Sequence, residues 1–246
     1  YTITSNQDNL KISVLEYTPK NPKAIIQIAH GMSEHKNRYE DLMRYLCDKG
    51  FLCIINDHRG HGKSVKEQKD LGYFYDDKGD YIVEDFHQIT NYIKDKNPGL
   101  KVYLLGHSMG SLVVRKYIKK YDQDIDKLVV CGSPSENNLT DLAIIITKII
   151  STFKGDYYRS KFINEISVGT YDKPFKREPK FSWLNSNLEE VKAYKNDELS
   201  GFTFTTNGFL NLFYLLKDTY SRKGWILNNP NLNILFIAGE DEPVIV

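Results

Sequence analysis

The sequence predicts an α/β protein with a doubly wound, mainly parallel sheet. Short apolar runs that do not alternate with polar residues mark the strands: Ala24–Ala29, Phe51–Asn56, Val102–Leu105, Leu128–Cys131 and Ile234–Ala238. Such runs are typical of parallel strands that are covered by helices on both faces. Helical periodicities lie between the runs, and this alternation of strand and helix favours a doubly wound sheet.

Three helices are predicted from apolar residues spaced three and four apart. The sets are Tyr39, Leu42, Met43 and Leu46; Ile82, Phe86, Ile89 and Ile93; and Val114, Tyr117, Ile118 and Tyr121. Gly50 suits the end of the first helix, and Pro98-Gly99 ends the second. Before Pro19, the segment with Ile12, Val14 and Tyr17 is expected to form an N-terminal edge strand.

One connection is far longer than the fold requires. A crossover between parallel strands needs about a dozen residues, and the segment from Cys131 to Ile234 greatly exceeds that length. It contains helical patterns of its own, so we expect a cap at the strand ends where ligands bind in doubly wound sheets. The predicted organisation is a core in residues 1–134, a helical cap in residues 135–230, and a second core part in residues 231–246, apparently incomplete at its C-terminus.

Composition narrows the class of protein. The 246 residues include 41% hydrophobic and 26% charged residues, which is ordinary for a globular protein. The net charge of +1 gives no electrostatic case for nucleic acid binding. Three cysteines, no signal-peptide pattern and no apolar run of about 18–20 residues favour a reduced, cytoplasmic protein without a disulfide framework.

The segment Gly106-His107-Ser108-Met109-Gly110 predicts a nucleophile. It fits the pattern G-x-S-x-G and lies between a predicted strand and a predicted helix. A serine on such a sharp turn projects its Oγ from the sheet, and glycines two residues away on either side avoid a collision. The N-terminus of the following helix supplies backbone N–H groups near developing negative charge. We therefore predict Ser108 as the nucleophile, with a structural turn as the alternative.

The loop after the first predicted parallel strand is expected to supply the second part of the oxyanion hole. The strand Ala24–Ala29 ends at His30-Gly31 and leads to the first helix, and in sheets of this kind that loop supplies one oxyanion donor. The predicted donors are the backbone N–H groups of Met32 and Met109. Losing one such donor typically lowers the rate by about 10²–10³.

The segment Asn56–Ser64, "NDHRGHGKS", is predicted to be structural. A phosphate-binding loop would need glycine at position 57, where this chain has Asp57. His58 and His61 are not accompanied by a recognised set of metal ligands. Asp57 and Arg59 are expected to pair and to fix the loop under the site.

Taken together, "HGMSEHKNRY", "DHRGHGKS" and "GHSMGS" resemble the monoacylglycerol lipase and lysophospholipase branch of the α/β-hydrolase family. The cap stretch Phe181–Thr205 is similar to members of this branch as well. The resemblance spans residues 24–243 and implies a serine ester hydrolase without cofactor or metal. One departure is Ser111, where many relatives have glycine, and this small change should not affect the chemistry.

The resemblance also implies an acid after the last predicted strand and a histidine base after the acid. Relatives have the acid three residues after a glycine that corresponds to Gly239, and this register favours Glu242. Asp241 remains the alternative, because aspartate is the commoner residue in this role. All six histidines precede Ser108, so the catalytic histidine is expected beyond residue 246. Without it, the chain would be a non-catalytic ligand-binding protein.

The sequence of the predicted cap indicates the class of substrate. Leu139–Phe153 places most of its apolar side chains on one helical stripe, with Ile144 and Ile145 off it. This helix either packs on the sheet, or it lines an acyl-chain tunnel or makes transient contact with a membrane surface. Gly208–Tyr220 is apolar nearly all round and is expected either to be buried between cap and core or to line the pocket. The family implies a single-chain lipid ester, such as a monoacylglycerol or a lysophospholipid, with a peptide or amide substrate as the alternative; the oligomeric state is not predicted.

Overall fold

The computed structural model describes residues 1–169, 171–172, 175, 180–240 and 243–245. Within this part of the chain, a seven-stranded sheet has the order β1-β2-β4-β3-β5-β6-β7. The strands are β1 Thr2–Thr4, β2 Lys11–Tyr17, β3 Ala24–Ala29, β4 Phe51–Asn56, β5 Val102–His107, β6 Lys127–Cys131 and β7 Asn233–Ile237. Strands β3 to β7 pair in parallel, and β1 and β2 are antiparallel to their neighbours. The predicted α/β class with a mainly parallel sheet is confirmed.

The prediction of an N-terminal edge strand was wrong in one respect. The predicted segment is β2, but β1 pairs along its outer side, with Thr2 opposite Ser13. Strand β2 therefore lies inside the sheet and pairs with β4, with Val14 opposite Asn56. The three residues of β1 are too few to show a periodicity, so local pattern alone does not reveal this strand.

Helices cover both faces of the sheet. The α-helices are α1 Glu40–Asp48, α2 Tyr81–Lys96, α3 Met109–Tyr121, α4 Thr140–Lys154, α5 Lys161–Ser167, α6 Leu188–Asn196 and α7 Thr206–Tyr220, and short 3-10 turns occur at Lys36–Tyr39, Gln68–Asp70, Asp122–Asp124, Ser182–Leu184 and Pro243–Ile245. Ile28 and Cys53 pack with Met43 of α1 on one face. Ile25 and Ile54 belong to the larger core cluster on the other face, which includes apolar residues of α2 and α3.

Helices α4 to α7 lie between β6 and β7, in the long segment that predicts the cap. Helix α7 packs against both α4 and α3. Its first two turns are fastened to the core by two buried asparagines: Asn207 Oδ1 accepts from Phe74 N at 2.8 Å, and Asn211 Oδ1 accepts from Gly79 N at 2.7 Å. Helix α7 thus lies between cap and core, as expected. The cap boundaries at residues 135 and 230 stay a prediction.

Helix α4 does not bury the stripe that its sequence suggests. Its buried residues are Thr140, Ile144 and Thr147, and Ile144 was expected off the stripe. Leu142 and Ile149, which belong to the stripe, are 51% and 53% exposed. The reason is that α4 packs against α7 rather than on the sheet, so that its neighbours are set by the cap. Among the described residues, no helix has both the length and the apolar character needed to cross a bilayer.

Candidate active site

Ser108 lies at the turn between β5 and α3. Its φ of +51° and ψ of −120° put a non-glycine residue in a strained conformation, which is typical of a serine held for catalysis. The turn is fixed on both sides, because Ser108 N donates to Cys131 O at 2.9 Å and Ser111 N donates to Ser108 O at 2.9 Å. The side chain of Ser111, at the position where relatives often have glycine, also donates to Ser108 O at 2.5 Å.

The two glycines of the turn have the steric role that the sequence predicts. A Cβ at Gly106 would lie 2.5 Å from Gly110 O and from Val114 Cγ2. A Cβ at Gly110 would overlap Ala29 O at the end of β3. The close approach of α3 to β3 and β5 therefore requires both glycines, and it brings the N-terminus of α3 to the loop after β3.

The two predicted oxyanion donors meet at this point. Met109 is the first residue of α3, and Met32 follows the end of β3; both line the same pocket as Ser108. The loop passes close to the nucleophile, since a Cβ at Gly31 would lie 3.3 Å from Ser108 Cβ and 3.4 Å from His107 Nδ1. The structure thus places Ser108, Met32 and Met109 at one pocket, and the oxyanion role of the two amides stays a prediction.

Glu34 fixes the loop from inside, and the sequence prediction gives it no role. Its Oε1 accepts from Gly31 N at 2.5 Å and from Tyr39 Oη at 2.8 Å, and it lies 3.6 Å from His107 Nδ1. Arg38 Nε donates to the other oxygen at 3.2 Å. Burial alone would raise the pKa of this carboxyl, but His107, His30 and the Gly31 N–H hold the pKa well below its usual range. The sequence did contain a hint of this role. Glu34 lies between Ser33 and His35, in the loop that is predicted to approach the nucleophile.

The expected pairing of Asp57 with Arg59 was wrong. Asp57 instead binds Lys36, whose Nζ and backbone N donate to its two oxygens at 2.6 and 2.8 Å. Arg59 points to the N-terminal segment and α2, where it pairs with Asp85 at 2.9 Å and Asp8 at 3.2 Å. The two side chains therefore have different partners: Asp57 contacts the loop after β3, and Arg59 contacts α2 and the N-terminal segment. Asp57 still fixes the loop under the site, but through Lys36.

Three histidines lie under the oxyanion loop. His30, His58 and His61 are fully buried, and the ring centroids of His30 and His58 are 4.2 Å apart. Burial lowers the pKa of all three imidazoles, to about 3 for His61. No described residue hydrogen-bonds either ring nitrogen of His58. In the described part of the chain no group of three or more His, Cys, Asp or Glu could hold a metal ion.

The pocket at Ser108 has a volume of about 800 Å³. Its apolar wall comes mostly from the cap helices and from α3: Leu112, Leu139, Leu142, Ala143, Ile146, Leu212, Phe213 and Leu216. Its polar wall includes charged and hydrogen-bonding side chains of loop and cap: Glu34, Arg38, Glu136, Asn164, Asp172, Lys180 and Tyr194. The lining therefore offers apolar contacts for an aliphatic chain and hydrogen-bonding partners for a polar group.

The predicted acids, Glu242 and Asp241, lie outside the described residues. The chain on either side of them is described: β7 ends at Ile237, beside β6, and Pro243 and Val244 line the pocket. Ser135 N donates to Val244 O at 3.3 Å. Pro243 and Val244 are therefore at the pocket that contains Ser108. The assignment of the acid stays a prediction, as does a histidine beyond residue 246.

Comparison with known proteins places the chain in a family. Human monoglyceride lipase is 40% identical over 182 residues, which are 72% of this chain and 52% of the human protein. Monoacylglycerol lipase of Mycolicibacterium smegmatis is 29% identical over 140 residues, which are 54% of this chain and 47% of that protein. The chain thus spans about half the length of these curated relatives.

Solved structures share the fold. A lipase in its open form superposes with a TM-score of 0.86 at 21% identity, covering 98% of this chain and 79% of that one. At this identity the likeness concerns the fold alone. A family model described as serine aminopeptidase, S33, matches residues 20–246. This match covers nearly the whole chain, and we conclude that the chain belongs to the serine aminopeptidase S33 family of α/β-hydrolases.

Proposed function

We propose that this chain carries the nucleophile and oxyanion hole of a serine carboxylic ester hydrolase that acts on single-chain lipid esters. Ser108 Oγ attacks the ester carbonyl, and the amides of Met32 and Met109 stabilise the oxyanion of the tetrahedral intermediate. A histidine outside residues 1–246 takes the serine proton and returns it to the leaving alcohol. Water then releases the fatty acid from the acyl-enzyme.

One observation carries this proposal: a strained serine at the N-terminus of α3 faces a large pocket with an aliphatic wall. The φ of +51° at Ser108 has no use in a purely structural turn that glycine would serve better. The pocket volume of about 800 Å³ is in the range of ligand sites of about 300–1,000 Å³. The names of the human and mycobacterial relatives support a monoacylglycerol as substrate.

The acid would orient the histidine and stabilise its imidazolium. We propose Glu242 for this role, with Asp241 as the alternative. In the whole protein, Glu242→Gln is expected to lower kcat more than Asp241→Asn. The reverse ranking would assign the acid to Asp241.

The cap surface supports a further part of the proposal, a transient contact with lipid aggregates. Large apolar side chains of α4 and α5 are exposed: Leu142, Ile145, Ile149, Phe153, Phe162 and Ile166. Two of them, Leu142 and Ile166, also line the pocket. Exposed apolar patches mark interaction sites. Ile149→Ser/Phe153→Ser is expected to reduce co-sedimentation with phosphatidylcholine vesicles and to leave hydrolysis of a water-soluble short-chain ester unchanged. Equal co-sedimentation of the variant and the parent would reject the contact.

The experiment that tests the function uses the whole protein and a fluorophosphonate probe. We expect one covalent adduct by intact mass, its loss in Ser108→Ala, and hydrolysis of medium- and long-chain monoesters in preference to triacylglycerols. Removing the nucleophile of a serine hydrolase lowers kcat by about 10⁶. Full activity of a folded Ser108→Ala variant would reject Ser108 as the nucleophile. If the whole protein forms no adduct, the alternative of a non-catalytic ligand-binding protein is favoured instead.

An aminopeptidase is the second candidate, because the family description names one. Glu136 and Asp172 line the pocket and would attract a substrate amine, but the cations of Arg38 and Lys180 line it too. Glu34 is already engaged by Arg38 and by Gly31 N. Faster hydrolysis of aminoacyl arylamides than of monoesters would favour this candidate.

A further inference from the structure

The loop that carries Met32 continues into a direct contact with the cap. Ser33 O accepts hydrogen bonds from Tyr194 Oη at 3.0 Å and from Gly201 N at 2.8 Å. Ser33 Oγ donates to Phe202 O at 2.7 Å. Ser33 has a φ of +53°, a region that a non-glycine residue keeps only when its surroundings hold it there. The cap supplies these surroundings.

A second contact lies two residues further along the loop. His35 Nε2 is 2.6 Å from Asp197 Oδ2, and the two side chains are 12% and 27% exposed. Asp197 lies at the end of α6 and is itself fixed by Ser200 Oγ at 2.7 Å and by Leu199 N at 2.9 Å. Burial raises the pKa of the Asp197 carboxyl, but these hydrogen bonds and His35 outweigh burial and lower it. The carboxylate is therefore ionised and preorganised at neutral pH.

The core holds the same loop at other residues. Lys36 N donates to Asp57, and Gly31 N donates to Glu34 of the same loop, which also accepts from Tyr39 Oη and lies 3.6 Å from His107 Nδ1 of β5. Lys36 is thus fastened to the core directly and Gly31 through Glu34, whereas Ser33 and His35 are fastened to the cap. Met32 lies between Gly31 and Ser33, at the boundary of the two sets of contacts.

We propose that Asp197, a residue of the cap, is a positioning residue for catalysis. Acting through His35, and together with the contact of Tyr194 with Ser33, it holds the Met32 amide where the oxyanion forms. This inference rests on the proposed esterase function and deepens it. The oxyanion hole is complete only while the cap is docked, so that cap position and transition-state stabilisation are coupled.

The coupling has a defined kinetic signature. An oxyanion donor acts on the transition state and not on the bound ester, so its displacement lowers kcat and leaves KM nearly unchanged. Misplacing a catalytic group by about 1 Å lowers the rate by about 10²-fold. A purely structural role of Asp197 would instead lower the melting temperature with kcat of the folded protein unchanged.

The test compares Asp197→Ala, His35→Ala and the double variant in the whole protein, with a medium-chain monoacylglycerol as substrate. Each single variant is expected to lower kcat about 10- to 100-fold with KM changed less than about threefold. The double variant should lose no more than the single ones, because both remove one contact. Fluorophosphonate labelling should slow in parallel. Asp141→Ala, an aspartate on the cap surface that pairs with Lys217, is the matched control and should behave like the parent.

Asp197→Asn and Tyr194→Phe extend the test if the alanine variants unfold. Both keep the side-chain volume, and both should lower kcat by a smaller factor. Three outcomes would overturn the proposal. They are additive losses of kcat in the double variant, an effect on KM alone, and an unchanged kcat in all of these folded variants. An inactive parent protein would instead reject the esterase function, which separates the two failures.

Discussion

Two lysine–aspartate pairs of this protein have nearly the same length and opposite surroundings. Lys36 Nζ lies 2.6 Å from Asp57 Oδ2 beneath the oxyanion loop, with side chains 7% and 1% exposed. Lys217 Nζ lies 2.5 Å from Asp141 Oδ1 on the cap, with side chains 50% and 67% exposed. A buried charge that loses its partner is strongly destabilising, whereas an exposed pair contributes little because water and salt screen it. Distance alone therefore does not rank these pairs.

The same difference separates the two regions that form the site. On the core side, Ser108 and Met109 belong to the turn between β5 and α3, residues 106–110, which we call the elbow. Gly106 and Gly110 allow the backbones of β5, α3 and the end of β3 to lie in contact there. On the cap side, the loop with Met32 depends on a partly exposed pair, His35 and Asp197. We expect changes in the core to affect stability and activity together, and changes at the cap contacts to affect mainly activity.

The largest effect is expected for the buried pair. Asp57→Ala leaves the Lys36 ammonium buried without its partner and removes the acceptor of Lys36 N and Lys63 N. The free energy of unfolding should fall by about 3–5 kcal/mol, measured by urea denaturation. Replacing both partners, as in Lys36→Met/Asp57→Leu, should recover part of this loss. A stability of Asp57→Ala equal to that of Asp141→Ala would contradict the contrast.

A substitution in the elbow should lower the free energy of unfolding less than Asp57→Ala does, but it should lower kcat strongly. In Gly110→Ala the added methyl group would overlap Ala29 O and His30 O, so that α3 must move away from β3. Overpacking of this kind lowers the free energy of unfolding by about 1–3 kcal/mol. Because Ser108 and Met109 move with α3, kcat should fall by about 10²-fold. Activity of Gly110→Ala within twofold of the parent would mean that the elbow tolerates the shift.

The buried histidines predict a loss of stability in acid. Their pKa values are lowered in the folded state, so below about pH 6.5 the unfolded chain binds protons that the folded chain does not. Their contribution is fully present above pH 6.5 and falls as the pH decreases, for His61 down to about pH 3. For His61 the free energy of unfolding falls by about 1.4 kcal/mol per pH unit in that window, and His30 and His58 add losses in the same direction.

Urea denaturation between pH 7.5 and pH 5 measures this dependence. Carboxylates with lowered pKa values, such as Glu34 and Asp57, add a loss in the same direction only below about pH 4.5. His61→Phe places an apolar ring among Phe74, Phe202 and Phe204 and should reduce the slope by one proton. A slope equal to that of the parent would show that His61 does not remain neutral.

The smallest effect is expected for the cap surface. Asp141→Ala removes the exposed partner of Lys217 and should change neither the melting temperature nor kcat beyond experimental error. A loss comparable to that of Asp57→Ala would mean that the contact between α4 and α7 depends on this pair. Differential scanning calorimetry and monoester kinetics on the same sample decide the point.

Local patterns in the sequence determined the central part of this protein. The bounds of β3 and β4 follow from continuous apolar runs, the buried face of α2 follows from helical periodicity, and the elbow at Ser108 follows from the steric needs of glycine. All three signals act over a few residues. The loop after β3 could be predicted to supply a donor because its place in the chain order is enough to bring it to the elbow.

The tertiary structure decided what depends on distant partners. The pairing of Asp57 with Lys36, the addition of β1 beside β2 and the burial of Ile144 rather than Leu142 on α4 all depend on which element lies alongside. The contact of His35 with Asp197 joins residues 162 positions apart. A contact between residues so far apart has no sequence spacing that reveals it, because it forms only where the fold brings the two side chains together, and here the packed cap does so.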